Sequence, residues 1–454
     1  MAARSCLLLA MVVLLAACGR TPPPTPGPPG DPGESITGRE RLGWDQLASD
    51  AAELATFRFA VYVDGVRSEL ADVTCGTAAG AAGFPCAGRL PAMSNGSHTL
   101  ELSAFVFDST GILESGKSPS LRVTVTALVT PGTDVVPLVS GDAITTADRV
   151  TLRAERLVTD LRDPADLAVL PDGQTLIAER TGRVLLVARG ETTVASGGRS
   201  SADGGIAALA VDPEFARSGF VFVVHTPAAS FRLVRYRLSG GALGERMALL
   251  QDVPASVDAS AVLRFGPDRK LYAALDDGGD RDLAARLSEW SGKILRLNAD
   301  GGTPDDQPAA SPVYWSGLRL PRGLAWMPEN GSLWLAEERN ERAERLATLA
   351  VETTRPRRAS ARESYPLPQP FGARGLAFHS SGEIPELRGD LFVTAHDAGY
   401  LLRVRFDRGD PRRIATTERL LEGRVGPVRA VAVANDGAIL VASDSTLWRL
   451  SPSR

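Results

Sequence analysis

A short phrase that recurs six times constrains the fold of this chain more than any other feature of its sequence. Each copy is a small apolar run, a turn built from Asp, Asn, Gly or Pro, and usually a second apolar run. The copies begin at Leu167, Leu209, Leu263, Leu324, Leu376 and Val431. Such a phrase predicts two strands joined by a tight turn. One such unit cannot bury both of its faces, so the repeated units must pack against one another.

The third copy shows the unit most fully. Val262–Phe265 and Leu271–Leu275 flank a Gly-Pro-Asp turn, and a third run follows at Lys293–Leu297. Three antiparallel strands make most of one blade of a β-propeller. No helical periodicity of useful length occurs after residue 150, which argues against a β/α fold. We therefore predict an all-β chain in which residues 151–454 form a six-bladed β-propeller.

The N-terminus carries a targeting signal. Arg4 precedes the apolar stretch Leu7–Ala17, which is too short to span a bilayer as a stable helix. The stretch ends in Leu-Ala-Ala-Cys, which resembles a bacterial lipobox, so cleavage would leave Cys18 as an acylated N-terminus. We predict that residues 1–17 are a lipoprotein signal peptide and that the protein is lipid-anchored in the bacterial cell envelope, at the outer membrane or facing the periplasm. The alternative is an ordinary signal peptide with an incidental cysteine.

Three further segments separate this signal from the propeller. Residues 18–35 are proline-rich and predict an extended tether. Residues 36–127 hold several short alternating runs, which indicate a β-sandwich. Cys75 and Cys86 lie in this unit, and in an oxidising compartment we expect them to form a disulfide, because two cysteines offer too few ligands for zinc. Residues 128–150 are predicted to be a linker.

The order of strands in the small unit, with the early Trp44, resembles that of fibronectin type III domains. We expect this unit to be a spacer or docking module without chemistry of its own, and its candidate partner is a protein. The net charge of the whole chain is −4 at neutral pH. Without a basic stripe, this composition gives no support for a nucleic-acid partner.

A set of motifs in the propeller resembles the soluble quinoprotein glucose/sorbosone dehydrogenases, over almost all of residues 155–451. The motifs are Leu157–Val187, Gly204–Thr226, Phe265–Asp268 with Gly292–Asn298, Pro321–Trp326, and Arg388–Val393 with Asp436–Gly437. The resemblance implies a six-bladed propeller that oxidises aldose sugars or related polyols with pyrroloquinoline quinone (PQQ) and Ca²⁺.

The family's proton-abstracting histidine corresponds here to Asp258. A carboxylate accepts protons, but its ordinary pKa lies about two and a half units below that of imidazole. The alternative for Asp258 is a surface loop residue. Asp277 matches an acidic turn of the family, and Asp276, Asp277 and Asp280 are candidate Ca²⁺ ligands. The same three carboxylates are equally compatible with a solvated turn.

Two arginines are kept where the family meets the quinone carboxylates. Arg319 lies in Leu-Arg-Leu-Pro-Arg-Gly, and Arg429 matches one of a basic pair. Asp397 replaces a lysine of the family, which reverses the charge opposite an anionic cofactor. His396 falls where many relatives carry a His-Gly-Ser turn near the mouth of the pocket, and it is the histidine best placed for function.

Three functions follow from these residues. The first is a quinone-dependent sugar dehydrogenase with a diverged site, in which Asp258 or His396 is the base. The second is a non-catalytic propeller that binds carbohydrate or a protein partner through the same face. The third is a calcium-dependent lactonase of the gluconolactonase type, since one fold serves several chemistries.

Overall fold

The computed structural model describes residues 34–452 with several gaps. The gaps are residues 37–39, 92, 94–95, 109–110, 126–135, 189, 197–203, 308–309, 341–342, 350–360, 368–370, 381–383, 408 and 412. The predicted signal peptide, Cys18 and nearly all of the tether therefore lie outside the described residues. Among the residues described, no helix has both the length and the apolar character needed to cross a membrane.

Residues 34–125 form a small unit of two sheets. Its elements are β1 (Glu34–Ile36), β2 (Arg41–Gln46), α1 (Ala51–Leu54), β3 (Arg58–Val63), β4 (Val66–Glu69), β5 (Ala71–Cys75), β6 (Phe84–Arg89), β7 (Gly96–Asp108), β8 (Gly111–Glu114) and β9 (Leu121–Val125). One sheet has the order β1-β9-β7-β3-β4, with β8 also paired to β7, and the other has the order β2-β6-β5.

The two sheets of this unit share one apolar core. Phe59 and Val61 of β3 belong to the same buried cluster as Phe84 of β6. The two cysteines predicted to pair, Cys75 and Cys86, form a disulfide between β5 and β6. The alternation of buried and exposed residues along β6 is the pattern expected where one face of a sheet packs inward.

Residues 136–452 form six sheets. Their strands are β10 (Ala143–Thr145), β11 (Thr151–Val158), β12 (Pro164–Val169), β13 (Thr175–Glu179), β14 (Val184–Ala188), β15 (Glu191–Ser196), β16 (Gly205–Val211), β17 (Phe220–Thr226), β18 (Ser230–Ser239), β19 (Ala242–Pro254), β20 (Ala261–Phe265), β21 (Leu271–Leu275), β22 (Lys293–Leu297), β23 (Val313–Ser316), β24 (Leu320–Trp326), β25 (Leu333–Asn340), β26 (Ala343–Leu349), β27 (Ala361–Pro366), β28 (Ala373–Phe378), β29 (Leu391–Ala395), β30 (Tyr400–Phe406), β31 (Ile414–Leu420), β32 (Val428–Val433), β33 (Ile439–Ser443) and β34 (Leu447–Pro452). Two short helices, α2 (Phe215–Ser218) and α3 (Arg281–Ala285), and a 3-10 turn at Pro385–Leu387 lie in the connections.

Five of these sheets each contain four strands that are consecutive in sequence, and the sixth has the order β10-β11-β34-β33-β32. Its β11 runs antiparallel to β34, so the first and last strands of the region pair with each other. The innermost strands β12, β16, β20, β24, β28 and β32 contact one another in that order, and β32 contacts β12. The sheets therefore form a closed ring without a free end.

The apolar cores lie between neighbouring sheets. One cluster joins Leu176 of β13 to Leu209 of β16, and another joins Phe392 of β29 to Val441 of β33. A further cluster joins Leu167 of the first sheet to Leu440 of the sixth. Each sheet thus buries both of its faces against two neighbours, as the repeated phrase requires.

The segment predicted as a linker contributes to this core. Leu138 and Ile144 are buried in the cluster between the fifth and sixth sheets, and β10 extends the sixth sheet. The small N-terminal unit also contacts the ring, since Arg67 Nη1 donates to the carbonyl of Ala415 at 2.5 Å. Residues 138–150 are therefore an integral part of the ring, and residues 128–135 lie outside the described residues.

Candidate functional site

The starts of the six innermost strands meet at one face of the ring, which we call the central face. Because neighbouring strands within each sheet are antiparallel, the connections between the second and third strands return to this same face. These connections include the β13–β14 turn with Arg180, the β21–β22 connection of residues 276–292 and the β29–β30 turn with His396. Almost every site residue predicted from the sequence therefore lies at or near one end of the ring.

A small cavity opens on the axis of the central face. Six of its lining residues occupy one position of the repeat, two residues before the start of each copy. They are Ala165, Ala207, Ala261, Arg322, Arg374 and Arg429. The cavity has a volume of about 30 Å³, enough for one or two water molecules. Three of the six positions therefore carry a small apolar side chain, and the other three carry a cationic one.

Two further arginines, Arg180 and Arg264, line the cavity beside the three from the repeat, and Arg264 is paired with Asp166. Burial lowers the pKa of Arg180. Burial also lowers the pKa of Arg374, whose Nε is buried and has no hydrogen-bond partner in the described part of the chain. Guanidinium groups held away from water in this way attract an anionic ligand, because their charge is only partly compensated.

Asp258, the predicted counterpart of the family base, lies in the β19–β20 connection. Its Oδ2 is 3.0 Å from Arg322 Nη2 and 3.9 Å from Arg374 Nη1. Partial burial raises the pKa of Asp258, but the neighbouring arginines outweigh it, so the net pKa is lowered. The carboxylate is thereby held in its ionised form, and its lowered pKa makes it a weak proton acceptor.

His396 has the geometry of an oriented base. Its Nδ1 lies 2.7 Å from Asp397 Oδ1, and this contact is the main cause of the lowered pKa of Asp397. Nε2 of His396 is buried without a hydrogen-bond partner among the described residues and lies 3.9 Å from Asp444 Oδ1. A carboxylate on one ring nitrogen fixes the tautomer and leaves the other nitrogen available for proton transfer.

The two arginines predicted to bind the cofactor have different positions. Arg429 lines the cavity and pairs with Asp163 Oδ1 at 2.6 Å and with Asp444. Arg319 precedes β24 and is not among the cavity-lining residues, although its Nη1 is buried without a partner in the described chain. The structure brings Arg322 to the cavity instead, three residues after Arg319.

The acidic loop does not form the three-carboxylate calcium site that the sequence suggested. Asp276 is fully buried, and its carboxylate accepts hydrogen bonds from the Ser256 N–H and Oγ and from the N–H groups of Ser260 and Gly278. Burial raises its pKa in spite of these bonds. Within the described residues, no group of three metal-ligating side chains is placed to hold an ion.

The other two carboxylates of that loop also have local roles. Asp277 Oδ1 accepts from the Gly279 N–H at 3.0 Å, and Asp280 caps the start of α3 by accepting from the Asp282 N–H at 2.9 Å. Local hydrogen bonds therefore occupy all three carboxylates. Asp276 and Asp277 are buried, so the alternative of a solvated turn does not describe them either.

Sequence reasoning missed Arg180, Arg322 and Arg374. For two of them a signal existed, because Arg-Gly-Leu-Ala occurs at Arg322 and again at Arg374, and Arg-Ala-Val-Ala occurs at Arg429. Aligning the six copies with one another places these arginines at a single position of the repeat. Arg180 follows the second strand of its sheet and has no counterpart in that alignment.

Comparisons with known proteins place the ring in one family. The family model for glucose/sorbosone dehydrogenases matches residues 161–349 and 350–450. An oxidoreductase of Thermus thermophilus, described as a glucose dehydrogenase, is 30% identical, with a TM-score of 0.57, over 66% of this chain and 99% of that chain. Quinoprotein glucose dehydrogenase B of Acinetobacter calcoaceticus is 29% identical over 226 residues, which are 40% of this chain and 47% of that protein.

A third similarity concerns the fold alone. The PQQ-bound aldose sugar dehydrogenase of Streptomyces coelicolor is 23% identical, with a TM-score of 0.56, over 66% of this chain and 98% of that chain. The β-propeller-like fold of the ring is thus shared with sugar dehydrogenases. The matched residues of the family model begin after the small N-terminal unit.

Proposed function

Because this chain belongs to the glucose/sorbosone dehydrogenase family, we propose that it is a sugar dehydrogenase that uses pyrroloquinoline quinone. The observation that carries this proposal is the half-cationic ring of repeat positions at the axis, with Arg322, Arg374 and Arg429 on one side and three alanines on the other. PQQ carries three carboxylates, and charge-assisted bonds from arginine are the interactions that such an anion requires. The substrate we propose is an aldose or related polyol.

The arginines at the central face suit the carboxylates of the quinone, but the cavity is too small to enclose the quinone. Arg374 Nε and Arg319 Nη1 are buried atoms that lack a partner in the described chain, so the positive charge of these two arginines is only partly compensated. The cavity of about 30 Å³ is an order of magnitude smaller than usual ligand pockets. Arg180, Arg322, Arg374 and Arg429 would therefore hold the quinone at the mouth of the cavity.

The quinone, when bound, supplies the two-electron acceptor that no side chain can provide. His396 has the role of base, because its Nε2 has no partner in the described chain and its Nδ1 is held by Asp397. Asp258 stays ionised beside Arg322 and orients that arginine. We assign no role to Ca²⁺ at the acidic loop, because Asp276 is already satisfied by four hydrogen bonds.

The finer architecture belongs to the same proposal. We take the six sheets as the six blades of one propeller and the N-terminal unit as a fibronectin type III-like module, available to a protein partner. Acylation of Cys18 would anchor the chain in the bacterial envelope. The tether of residues 18–35 would then hold both units away from the membrane.

A non-catalytic propeller is the second candidate. It is favoured by the ion pairs that already occupy the arginines, since Arg322 contacts both Asp258 and Glu338 at 3.0 Å and Arg429 contacts Asp163 and Asp444. Such a face would bind carbohydrate or protein without an electron acceptor. The lactonase alternative depends on a metal, for which the described residues provide no three-ligand group.

Turnover by the purified protein tests the proposal. With PQQ added and a panel of aldoses supplied, we expect sugar-dependent reduction of a redox dye. His396→Gln should lower kcat by about 10²–10⁴, the usual contribution of a general base, and Asp258→Asn should lower it much less. No sugar-dependent reduction by the wild-type protein at saturating PQQ would favour the non-catalytic propeller.

A further inference from the structure

Lys293 is a cation in an unusual position. It is the first residue of β22 and has no solvent exposure. In the described part of the chain no carboxylate forms an ion pair with it, although Glu289 lies near enough to raise its pKa slightly against the effect of burial. A buried charge is costly unless other groups compensate for it, so the surroundings of this ammonium group need an explanation.

Three backbone carbonyl oxygens surround the ammonium group. Nζ of Lys293 donates to the carbonyls of Leu283, Ala284 and Ser291, each at 2.9 Å. Leu283 and Ala284 lie at the end of α3, and the Leu283 carbonyl also accepts from the Arg286 N–H at 3.2 Å. Three protons thus meet three acceptors, and the ammonium group is fully satisfied. Burial lowers the pKa of Lys293 to about 8, so the group remains charged at neutral pH.

The carbonyl cage fixes the far end of the β21–β22 connection. Gly292, next to Lys293, accepts from the N–H groups of Gly317 and Leu318 at 3.0 Å and donates to the carbonyl of Asp276 at 2.6 Å. Gly292 has a φ of 71°, and a Cβ there would overlap the Cβ of Ala284. The helix, the cage and the glycine are therefore packed so closely that a displacement of one moves the others.

The same connection supports two segments of the central face. The Asp277 N–H donates to the carbonyl of Arg319 at 3.0 Å, three residues before Arg322. The carboxylate of Asp276 binds Ser256 and Ser260, the residues that flank Asp258. The positions of Asp258 and of the chain that leads to Arg322 both depend on how residues 276–292 are held.

We propose that the Lys293 ammonium group is a built-in cation that holds the β21–β22 connection and thereby positions the central face. Proteins commonly bring a metal ion to a buried set of carbonyl oxygens. Here a side chain of the protein supplies the positive charge permanently. Lys293 is thus a positioning residue. The inference is independent of the proposed function, because it concerns what fixes these segments and not what binds to them.

Amide hydrogen exchange of the full chain tests this assignment. In Lys293→Met, which removes the charge and keeps the length, we expect protection of the Asp277, Gly292 and Leu318 amides to fall at least about tenfold through local opening. The Leu295 amide, within β22, should remain protected. Lys270→Met is the matched control, because Lys270 immediately precedes β21 of the same sheet and its ammonium group donates to the Asn298 side chain. It should leave all four amides unchanged.

Chemical rescue separates a positioned cation from simple packing. In Lys293→Ala, n-propylammonium should restore protection of the Gly292 and Leu318 amides, and tetramethylammonium, which has no N–H to donate, should not. Unchanged protection in Lys293→Met would overturn the proposal. So would equal rescue by the two ions, an equal loss of protection at Leu295, or failure of both variants to fold even with n-propylammonium present.

Discussion

At the scale of single residues, a buried group of charges surrounds Arg403, away from the central face. This fully buried arginine contacts Asp148 at 2.6 Å, Asp390 at 2.6 Å and Glu418 at 3.1 Å. Burial raises the pKa of Asp390 to about 6 and that of Glu418 to about 7, although Arg403 opposes both shifts. Arg405 also lies 3.4 Å from Asp148, so two arginines face three carboxylates, and protonation of one carboxylate relieves their mutual repulsion.

This group predicts how stability depends on pH. The folded pKa of Glu418 lies above its ordinary value of 4.5, so between pH 4.5 and 7 the folded protein binds more protons than the unfolded chain. The free energy of unfolding should therefore fall as the pH rises from 5 to 7.5. In Glu418→Gln the fall should be smaller by on the order of 1–2 kcal/mol. Urea titrations at several pH values measure the free energy of unfolding of both proteins. The same dependence of this free energy on pH in the wild type and in Glu418→Gln would contradict the assignment.

The two candidate bases show what a sequence can and cannot specify about a residue. Asp258 was found by its spacing from a motif, but its pairing with Arg322 depends on chain 64 residues away, so its low pKa has no sequence signature. His396 and Asp397 are adjacent in the sequence, yet Asp397 was interpreted only as a lost cation. Its contact with the imidazole ring becomes visible only when the turn is folded.

At the scale of elements, the repeated phrase predicted the six inner hairpins, because alternating apolar runs and turn residues act locally. It did not predict that β10 and β11 join the sixth sheet, since that pairing connects the two ends of the region. The roles of Asp276 and Lys293 were missed for the same reason. Both side chains bind backbone groups in the loops between strands, and a sequence pattern does not indicate where such backbone groups lie.

The pairing at the sixth sheet predicts where a ring fragment can begin. A fragment of residues 136–452 keeps Leu138 and Ile144 in the core and Asp148 on Arg403, whereas a fragment of 151–452 loses all three. Each buried aliphatic side chain contributes about 1.5–3 kcal/mol, so the shorter fragment should be less stable by several kcal/mol. Urea midpoints of the two fragments check this difference. Equal midpoints would mean that residues 136–150 contribute nothing to the core.

At the scale of the whole molecule, overall charge and local charge have opposite signs. The chain carries a net charge of −4, yet five arginines line the axial cavity of the ring. A mildly acidic surface discourages non-specific binding of polyanions, while the cavity attracts a small anion locally. This distribution suits a small charged cofactor better than a nucleic acid.

The location of the molecule is open to a direct test. If Cys18 is acylated, Cys18→Ser should move the protein from the membrane fraction to the soluble fraction or leave an uncleaved precursor. Cys6→Ser is the matched control, because Cys6 lies within the predicted signal peptide and is removed with it. Separation of the membrane and soluble fractions locates each variant, and the mass of the protein shows whether the signal peptide has been cleaved. A Cys18→Ser protein that is processed and membrane-bound like the wild type would contradict the lipoprotein assignment.

Binding of the quinone tests the central claim most directly. PQQ titrated into the wild-type protein should give saturable binding. Because each charge-assisted pair contributes about 1.5–3 kcal/mol, Arg374→Gln should weaken that binding by about tenfold to a hundredfold. Arg449→Gln should not weaken it, since Arg449 pairs with Asp436 at the opposite end of the sixth sheet. Absence of saturable binding to the wild type, or equal affinity in Arg374→Gln, would contradict the assignment of the arginine-lined face as a quinone site.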